Sequence, residues 1–238
     1  MKNILVTGGV GFIGTNLITD LIKLGYNVTS LDDYSAGLKT NEIKGVQYVN
    51  LDIESIDKID TDIDICFHLA AKSRVQPSFK DPKEYFRVNV QGTMKVMEWA
   101  KKNNVKVIYA GSSSKHHNPS DSPYAMYKYL GEEVCKLYKK AYDINVEVAR
   151  FYNVYGPNES LDEEHGNVIG IWRSKVKKGK PLTIVGDGNQ RRDFTHVFDI
   201  VNGLIKIAMS NKVHRDAWEL GTGINYSVNE LFSMFNKK

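Results

Sequence analysis

Cysteine is nearly missing from this chain. Its two, Cys66 and Cys135, lie far apart and form no C-x-x-C pair, which argues against a disulfide scaffold, a zinc site and a thioredoxin-like redox motif. Long apolar runs are missing as well. Nothing approaches the roughly 18 residues that span a bilayer, and the opening "NILVTGG" reads as a strand rather than a secretory leader. A cytoplasmic protein with buried thiols and no membrane contact is expected. Charge of one sign is also scarce: 32 Lys and Arg against 28 Asp and Glu leave +4. No basic stripe interleaved with aromatics is present, so nucleic acid is not an expected partner, whereas a small acidic ligand is compatible. Internal repeats, low-complexity tracts and linker-like stretches are absent.

What is present suits a folded α/β protein. With 42% hydrophobic residues among 238, the chain can bury a sizeable core in one large domain, or in one domain with a small lobe. Apolar, β-rich runs at residues 4–7, 27–31, 46–49, 63–69, 105–110 and 146–149 are separated mostly by helical patterns at 11–24, 84–102 and 123–142. That alternation predicts a doubly wound parallel (Rossmann) sheet covered on both faces, with ligands beyond the carboxyl ends of its strands. After Asn153 the pattern loosens into turns such as Gly156-Pro157 and Gly186-Asp187-Gly188. The expected division is a cofactor-binding domain over 1–152, to which 194–211 returns, and a small lobe from 153–193 and 212–238.

Two local patterns carry chemistry. In "VTGGVGFIG", Gly8, Gly11 and Gly14 stand between the first strand and a helix, where they allow a tight turn and leave helix N–H groups, around Phe12 and Ile13, facing a pyrophosphate. Alone, this is equally a solvated turn. Its context improves it, because the second strand ends in "SLDDYSAG": Asp32, with Asp33 beside it, is about 20 residues on and can accept from an adenosine ribose while repelling a 2′-phosphate, which favours NAD over NADP. Asp52 and Ile53 at the next strand end are placed to grip an adenine, and Leu69, Ala70 and Ala71 in "HLAAKS" lie beside the phosphates; each alone is compatible with core packing.

The second pattern is "GSSSKHHNPSDSPYAMYK", residues 111–128. Of 13 tyrosines, Tyr124 has a lysine four positions later, Lys128, in a helix that Ser122 can cap and Pro123 can start. Residues at i and i+4 share a helix face, so an ammonium can approach the phenol. To act as a base near neutrality a phenol must shift by roughly 3 units, or about 4 kcal/mol, which a neighbouring lysine and a cationic nicotinamide can supply. Taken alone, a chance pair on an amphipathic helix is the commoner outcome. Adjacent His116 and His117 diverge and lack a Cys/His cluster or H-E-x-x-H, so no metal site is expected.

The segments "TGGVGFIG", "LDDYSAG", "HLAAKSRVQPS", "NVQGT", "YAGSSS", "PYAMYK", "RFYNVYGP" and "GDGNQRRDFTHV" together resemble, in order and over nearly the whole chain, the extended short-chain dehydrogenase/reductases of the NAD-dependent nucleotide-sugar epimerase and dehydratase group. The resemblance implies that Tyr124 is the catalytic base, that Lys128 acidifies it and binds the nicotinamide ribose, and that Ser112 is the hydroxyl relay. Asn89 is implied near the cofactor. Ser73, Ser112, Ser113, Asn153, Asn167 and Arg192 are implied to hold the sugar nucleotide, arginine being apt for a diphosphate. NAD as cofactor, a UDP-sugar as substrate and a homodimer built on the helices at 84–102 and 123–142 are implied likewise.

Dehydratases of the group carry Asp-Glu directly after the catalytic hydroxyl residue, and decarboxylating relatives a glutamate at the second place. Here Ser113 and Ser114 stand there, and a serine is no carboxylic acid near pH 7. The expected reaction is 4-epimerisation: Tyr124, helped by Ser112, takes the C4 hydroxyl proton while hydride passes to NAD⁺ and returns to the other face. A 4-keto-sugar reductase and a non-catalytic binding module are the alternatives. Two departures from the group are expected to matter. The link from Ser112 to Tyr124 is about half the usual length, which changes a pocket wall. The further stretch that relatives carry after "WELGTGINYSVNELFSMF" is missing, so the substrate lobe is expected to be shortened.

Overall fold

Seven short strands lie side by side in a computed structural model that describes residues 2–161 and 166–235. β1 (Asn3–Thr7) leads through the glycine turn into α1 (Phe12–Lys23), and β2 (Asn27–Asp32) follows. β3 (Gln47–Asn50), β4 (Ile65–His68) and two short helices, α2 (Val75–Lys80) and α3 (Pro82–Phe86), precede a π-helical turn at Arg87–Gly92 that runs into α4 (Thr93–Asn103). β5 (Lys106–Ser112), the long α5 (Pro123–Tyr142) and β6 (Val146–Phe151) come next. Beyond them lie α6 (Val168–Lys177), β7 (Arg191–Asp193), α7 (Val197–Met209), β8 (Trp218–Leu220), β9 (Asn225–Ser227) and α8 (Val228–Phe235).

The main sheet has the order β3-β2-β1-β4-β5-β6-β8, parallel at every pairing. This is the expected doubly wound fold, with its switch point between β1 and β4. The strands read as continuous apolar runs because both of their faces are buried. Leu5, Cys66, Val107 and Val148 pack with α4 and α5 residues such as Met97 and Cys135. Their neighbours Ile4, Phe67, Ile108 and Ala149 face the other way, onto Leu17 and Leu21 of α1 and Val201 and Leu204 of α7. A smaller core of Ile169, Trp172, Phe194, Val228 and Leu231 joins α6 and α8 to the antiparallel β7–β9 pair.

Helix α5 spans the expected residues, with Ser122 Oγ accepting from Ala125 N–H at 3.1 Å and Pro123 in its first turn. Two places differ from the sequence reading. The helix expected at 84–102 begins earlier, where the Asp81 carboxylate accepts from Glu84 N–H at 3.1 Å ahead of Pro82, and it widens into the π turn instead of running straight. The segment 212–238, assigned to the lobe, gives β8 to the main sheet. Buried charge explains the docking: Trp218 Nε1 donates to Glu147 at 2.6 Å, and Arg150 of β6 reaches Glu219 at 2.7 Å. No helix of the described residues is long and apolar enough to cross a membrane.

Candidate active site

The glycine turn is shaped by contacts that no side chain would survive. Gly8 has φ +73°, and a Cβ on it would lie 2.8 Å from Ala70 N; one on Gly14 would lie 2.2 Å from the Gly8 carbonyl oxygen. Gly11 differs, because its φ of −76° suits any residue and a Cβ there would meet Gly8 O at 3.2 Å with nothing else of the described residues within 4 Å. What glycine gives at that place is clear space in front of α1. No side chain caps α1, so its first N–H groups, on Phe12, Ile13 and Gly14, face that space, the arrangement that receives a pyrophosphate. The residues present therefore fit a dinucleotide.

Asp32 stands beside this space, buried to 9% exposure, with Oδ2 accepting from Val10 N–H at 3.1 Å and Oδ1 from Tyr34 N–H at 2.8 Å. Burial pushes its carboxyl above the usual range, against those two N–H groups. Each oxygen keeps a lone pair for a ribose hydroxyl. Asp33 instead accepts from Ser35 N–H at 2.9 Å and shapes its own loop. Asp52, just beyond β3 and expected at the adenine, is gripped by Arg87 on both oxygens, at 2.9 and 2.8 Å, which holds its carboxyl below the usual range. Arg87 also reaches Glu54 and Glu84. Ile53 is buried, against Gly92.

The loop after β4, with Leu69, Ala70 and Ala71, is fixed by a one-way chain of hydrogen bonds. Ala70 N–H donates to Thr7 Oγ1 at 3.1 Å, and Thr7 Oγ1 lies 2.9 Å from His68 Nδ1. His68 Nε2 lies 3.2 Å from Thr93 Oγ1, which donates to the Asn89 carbonyl at 2.7 Å. Because the Thr93 proton is committed to Asn89, His68 donates from Nε2, and its Nδ1 then accepts from Thr7. Burial, with Lys128 adding to it, pushes His68 down to about 3, so the ring is neutral. Asn89 closes the circuit: its Oδ1 accepts from Lys72 N–H at 2.8 Å and its Nδ2 donates to Lys72 O at 2.9 Å. Expected near the cofactor, Asn89 is 1% exposed and holds the loop whose Ala70 lies against Gly8.

At the end of β5 the expected trio comes together in part. The Tyr124 hydroxyl lies 3.4 Å from Ser112 Oγ, and Ser114 N–H and Oγ approach the same oxygen at 3.2 and 2.9 Å. Its two lone pairs cannot take all three donors, so Ser112 gives its own O–H to one of the two neighbouring hydroxyls. Lys128, one helical turn on, departs from the expectation that its ammonium meets the phenol. It is 4% exposed, donates to the Ala110 carbonyl and sits 4.5 Å from the centroid of the Tyr109 ring. Burial pushes its amine down to about 8, and the Glu132 carboxylate works the other way. The Tyr124 phenol is raised above 10 by burial, and the groups opposing that are the Ser112 hydroxyl and the Arg74 guanidinium. The chain by itself thus makes this phenol harder to ionise, the reverse of what a base needs.

Arg74 was not singled out by its sequence. It precedes α2 with φ +83° and ψ 141°, a region where glycine is the ordinary occupant and other residues are strained by about 1–3 kcal/mol. The strain is held on both sides: Asn89 clamps Lys72, the Tyr85 hydroxyl donates to the Ser73 carbonyl, and Ser78 Oγ donates to the Val75 carbonyl at 2.6 Å. Nothing in a sequence announces a non-glycine residue at positive φ. Glu132 was missed too, though it continues the Tyr124, Lys128 stripe at the same spacing. Its Oε1 accepts from Ser112 N–H at 3.3 Å, and its Oε2 takes Arg150 at 2.9 Å with both residues at most 2% exposed.

Most of the residues expected on the sugar nucleotide lie on adjoining segments, Ser112 being paired with Phe151 near the end of β6, two residues before Asn153. Asn153, at φ +32°, donates to the Asp193 carbonyl at 3.0 Å and so ties the end of β6 to β7, which carries exposed Arg192. Asn167 is engaged in structure: Oδ1 caps α6 at Gly170 N–H, 2.9 Å, and Nδ2 donates to the Val154 carbonyl. Ser73 is exposed and Ser113 half-buried at the start of a 3₁₀ turn. The short loop that follows is pinned by Lys115 to Glu133 at 3.0 Å and by His116 to Glu219 at 3.1 Å, with the His116 ring stacked on Tyr152. Among the described residues no group of three His, Cys, Asp or Glu side chains could hold a metal ion.

The profile of the NAD dependent epimerase/dehydratase family matches residues 4–221. A Methanocaldococcus jannaschii protein provisionally named UDP-glucose 4-epimerase is 36% identical over 97% of this chain and 80% of its own length. The UDP-N-acetyl-alpha-D-glucosaminuronate decarboxylase of Bacillus cytotoxicus is 31% identical over 97% of this chain and 78% of its own. Among solved structures, the UDP-glucose 4-epimerase of Thermotoga maritima with UDP-glucose superimposes with a TM-score of 0.92 at 29% identity, over 99% of this chain and 82% of that one. The UDP-glucuronic acid 4-epimerase of Bacillus cereus, in complex with UDP-glucuronic acid and NAD, gives 0.89 at 30% identity over the same shares.

Proposed function

The chain belongs to the NAD dependent epimerase/dehydratase family, and from that premise we propose that it is a nucleotide-sugar 4-epimerase with a UDP-sugar as substrate. The observation that carries the reading is the Ser112–Tyr124 hydroxyl pair, 3.4 Å apart at the end of β5, followed by Ser113 and Ser114 rather than by carboxylic acids. Loss of water needs an acid and a base beside the sugar, and serine hydroxyls near neutral pH are neither.

The chain's own groups divide the work. Gly8, Gly11, Gly14 and Asp32 hold the dinucleotide. Tyr124 receives the proton of the C4 hydroxyl, and Ser112 orients that oxygen and relays the proton. Lys128 fixes the nicotinamide ribose and adds positive charge behind the phenol once it turns from the Ala110 carbonyl. Asn153 and Arg192 hold the nucleotide diphosphate. NAD, when bound, supplies the hydride acceptor and donor for C4 and a cationic ring that favours the phenolate.

Two buried free thiols, Cys66 and Cys135, fit a reducing cytoplasm. We place a homodimer contact on α4 and α5, where Met94, Leu137 and Tyr142 remain 45–58% exposed. The deciding experiment incubates the protein with a panel of UDP-, GDP- and dTDP-sugars and reads the products by NMR, with Tyr124→Phe alongside. Epimer formation that falls about a hundredfold to ten-thousandfold in the variant, with unchanged circular dichroism, is expected. Near-normal turnover by Tyr124→Phe, or stoichiometric consumption of NADPH, would overturn the assignment.

A further inference from the structure

One helix holds Ser112 at two points. Tyr124 and Glu132 stand eight residues apart on α5, about 12 Å along its axis, and both reach this serine. The phenol lies 3.4 Å from its Oγ, and the Glu132 carboxylate accepts from its main-chain N–H at 3.3 Å. Resting on the 4-epimerase reading, we propose that Glu132 is a positioning residue: its carboxylate, locked by Arg150, fixes the Ser112 peptide so that the serine hydroxyl stays within reach of Tyr124 and of the sugar oxygen.

Three observations support the assignment. The carboxylate is kept from swinging away, because its Oε2 takes Arg150 Nε at 3.1 Å and Nη2 at 2.9 Å, while Arg150 Nη1 is held in turn by Asp216 at 2.9 Å and Glu219 at 2.7 Å. Strand β5 makes room for it: Gly111 lies opposite Arg150 in the sheet, and a Cβ on Gly111 would stand 2.8 Å from Glu132 Oε1. A glycine inside a strand weakens the strand, and here it admits the carboxylate to the peptide of the reacting serine. The Ser112–Tyr124 approach, finally, is at the long end of hydrogen bonding, so a displacement of about 0.5 Å would break it. Stability alone is a poor reason for the ion pair. Glu132 is 1% and Arg150 2% exposed, so lost hydration offsets their attraction, and apolar side chains of similar volume often serve a core as well or better.

The test is a mutant cycle on kcat in the full chain, with whichever of UDP-glucose, UDP-N-acetylglucosamine and UDP-glucuronate it epimerises. Glu132→Met combined with Arg150→Met removes both charges together, which spares the core an unpaired ion and leaves the Ser112 N–H without its acceptor. This apolar pair should lower kcat by about tenfold to a hundredfold while KM and bound NAD stay within about threefold. Joined to Ser112→Ala, it should lower kcat by no more than about threefold further, because the hydroxyl it positions is already gone. Glu132→Gln keeps the volume and one acceptor oxygen, so its loss should be smaller and should likewise vanish beside Ser112→Ala; it carries the same cycle if the apolar pair fails to fold. A kcat for the apolar pair within about threefold of the wild type overturns the inference. So does an equal loss with and without the serine hydroxyl, the result of a merely structural ion pair. If no sugar turns over, the epimerase reading fails, and amide hydrogen exchange decides the inference separately. Exchange at Ser112 that quickens at least about tenfold relative to Tyr109 in the variant upholds the anchor, and an unchanged ratio rejects it.

Discussion

Replacing His68 with glutamine should flatten the acid side of the stability curve. In the folded chain His68 titrates at about 3, against 6.5 for an unperturbed imidazole. Between those values the unfolded chain binds a proton that the folded chain refuses, so stability from this group is fully present above 6.5 and is lost as pH falls toward 3. At about 1.36 kcal/mol per unit, the loss from pH 8 to pH 5 is about 2 kcal/mol, and by pH 4 about 3. Urea unfolding of the wild type and His68→Gln at pH 8 and pH 5 gives the comparison, because carboxylates titrate alike in both and cancel. Glutamine keeps a donor toward Thr93 but loses the acceptor for Thr7, so the variant should be weaker by about 1–3 kcal/mol at pH 8. That gap should shrink by about 2 kcal/mol at pH 5. Parallel curves would refute both the neutral ring and the one-way hydrogen-bond chain derived from it.

Two further outcomes follow from contacts already described. Gly14→Ala would press a methyl to 2.2 Å from the Gly8 carbonyl oxygen and 2.7 Å from Gly9 Cα; a loss of about 1–3 kcal/mol is expected, with NAD affinity by calorimetry falling at least tenfold, and normal binding would show that the turn can yield. Leu137→Glu, at a side chain 58% exposed on α5, should convert a dimer to monomer in light scattering while the monomer keeps its melting temperature; a dimer that survives would move the contact elsewhere.

The sheet was legible because its signal is local. Six apolar runs could be read one by one, and Ser122-Pro123 marked the start of α5 to the residue. Strand β8 was not legible, since Trp218–Leu220 is too short to stand out and is recruited by Glu147 and Arg150, far away in sequence. The glycine turn and Asp32 were readable for the same local reason, whereas the Ser112–Tyr124 pairing, 3.4 Å apart, was implied only by the family resemblance. What failed was direction. An i, i+4 spacing puts Lys128 on the face of Tyr124 but does not say that its amine prefers the Ala110 carbonyl. Nor does a carboxylate at a strand end reveal that an arginine such as Arg87 has claimed it, as with Asp52. Arg74 lay beyond reach altogether, because backbone strain is a property of the assembled loop.

The widened turn at Arg87–Gly92 makes this stretch a gauge of chain length. Deleting one residue there would restore ordinary helical pairing, a local gain, yet it would rotate everything after it by about 100° relative to everything before. Asn89 and Thr93, four residues apart and both committed to partners outside the helix, could not follow. Drift in residue type is tolerable along much of this helix, whereas a change in residue count is not, even though half its surface faces water.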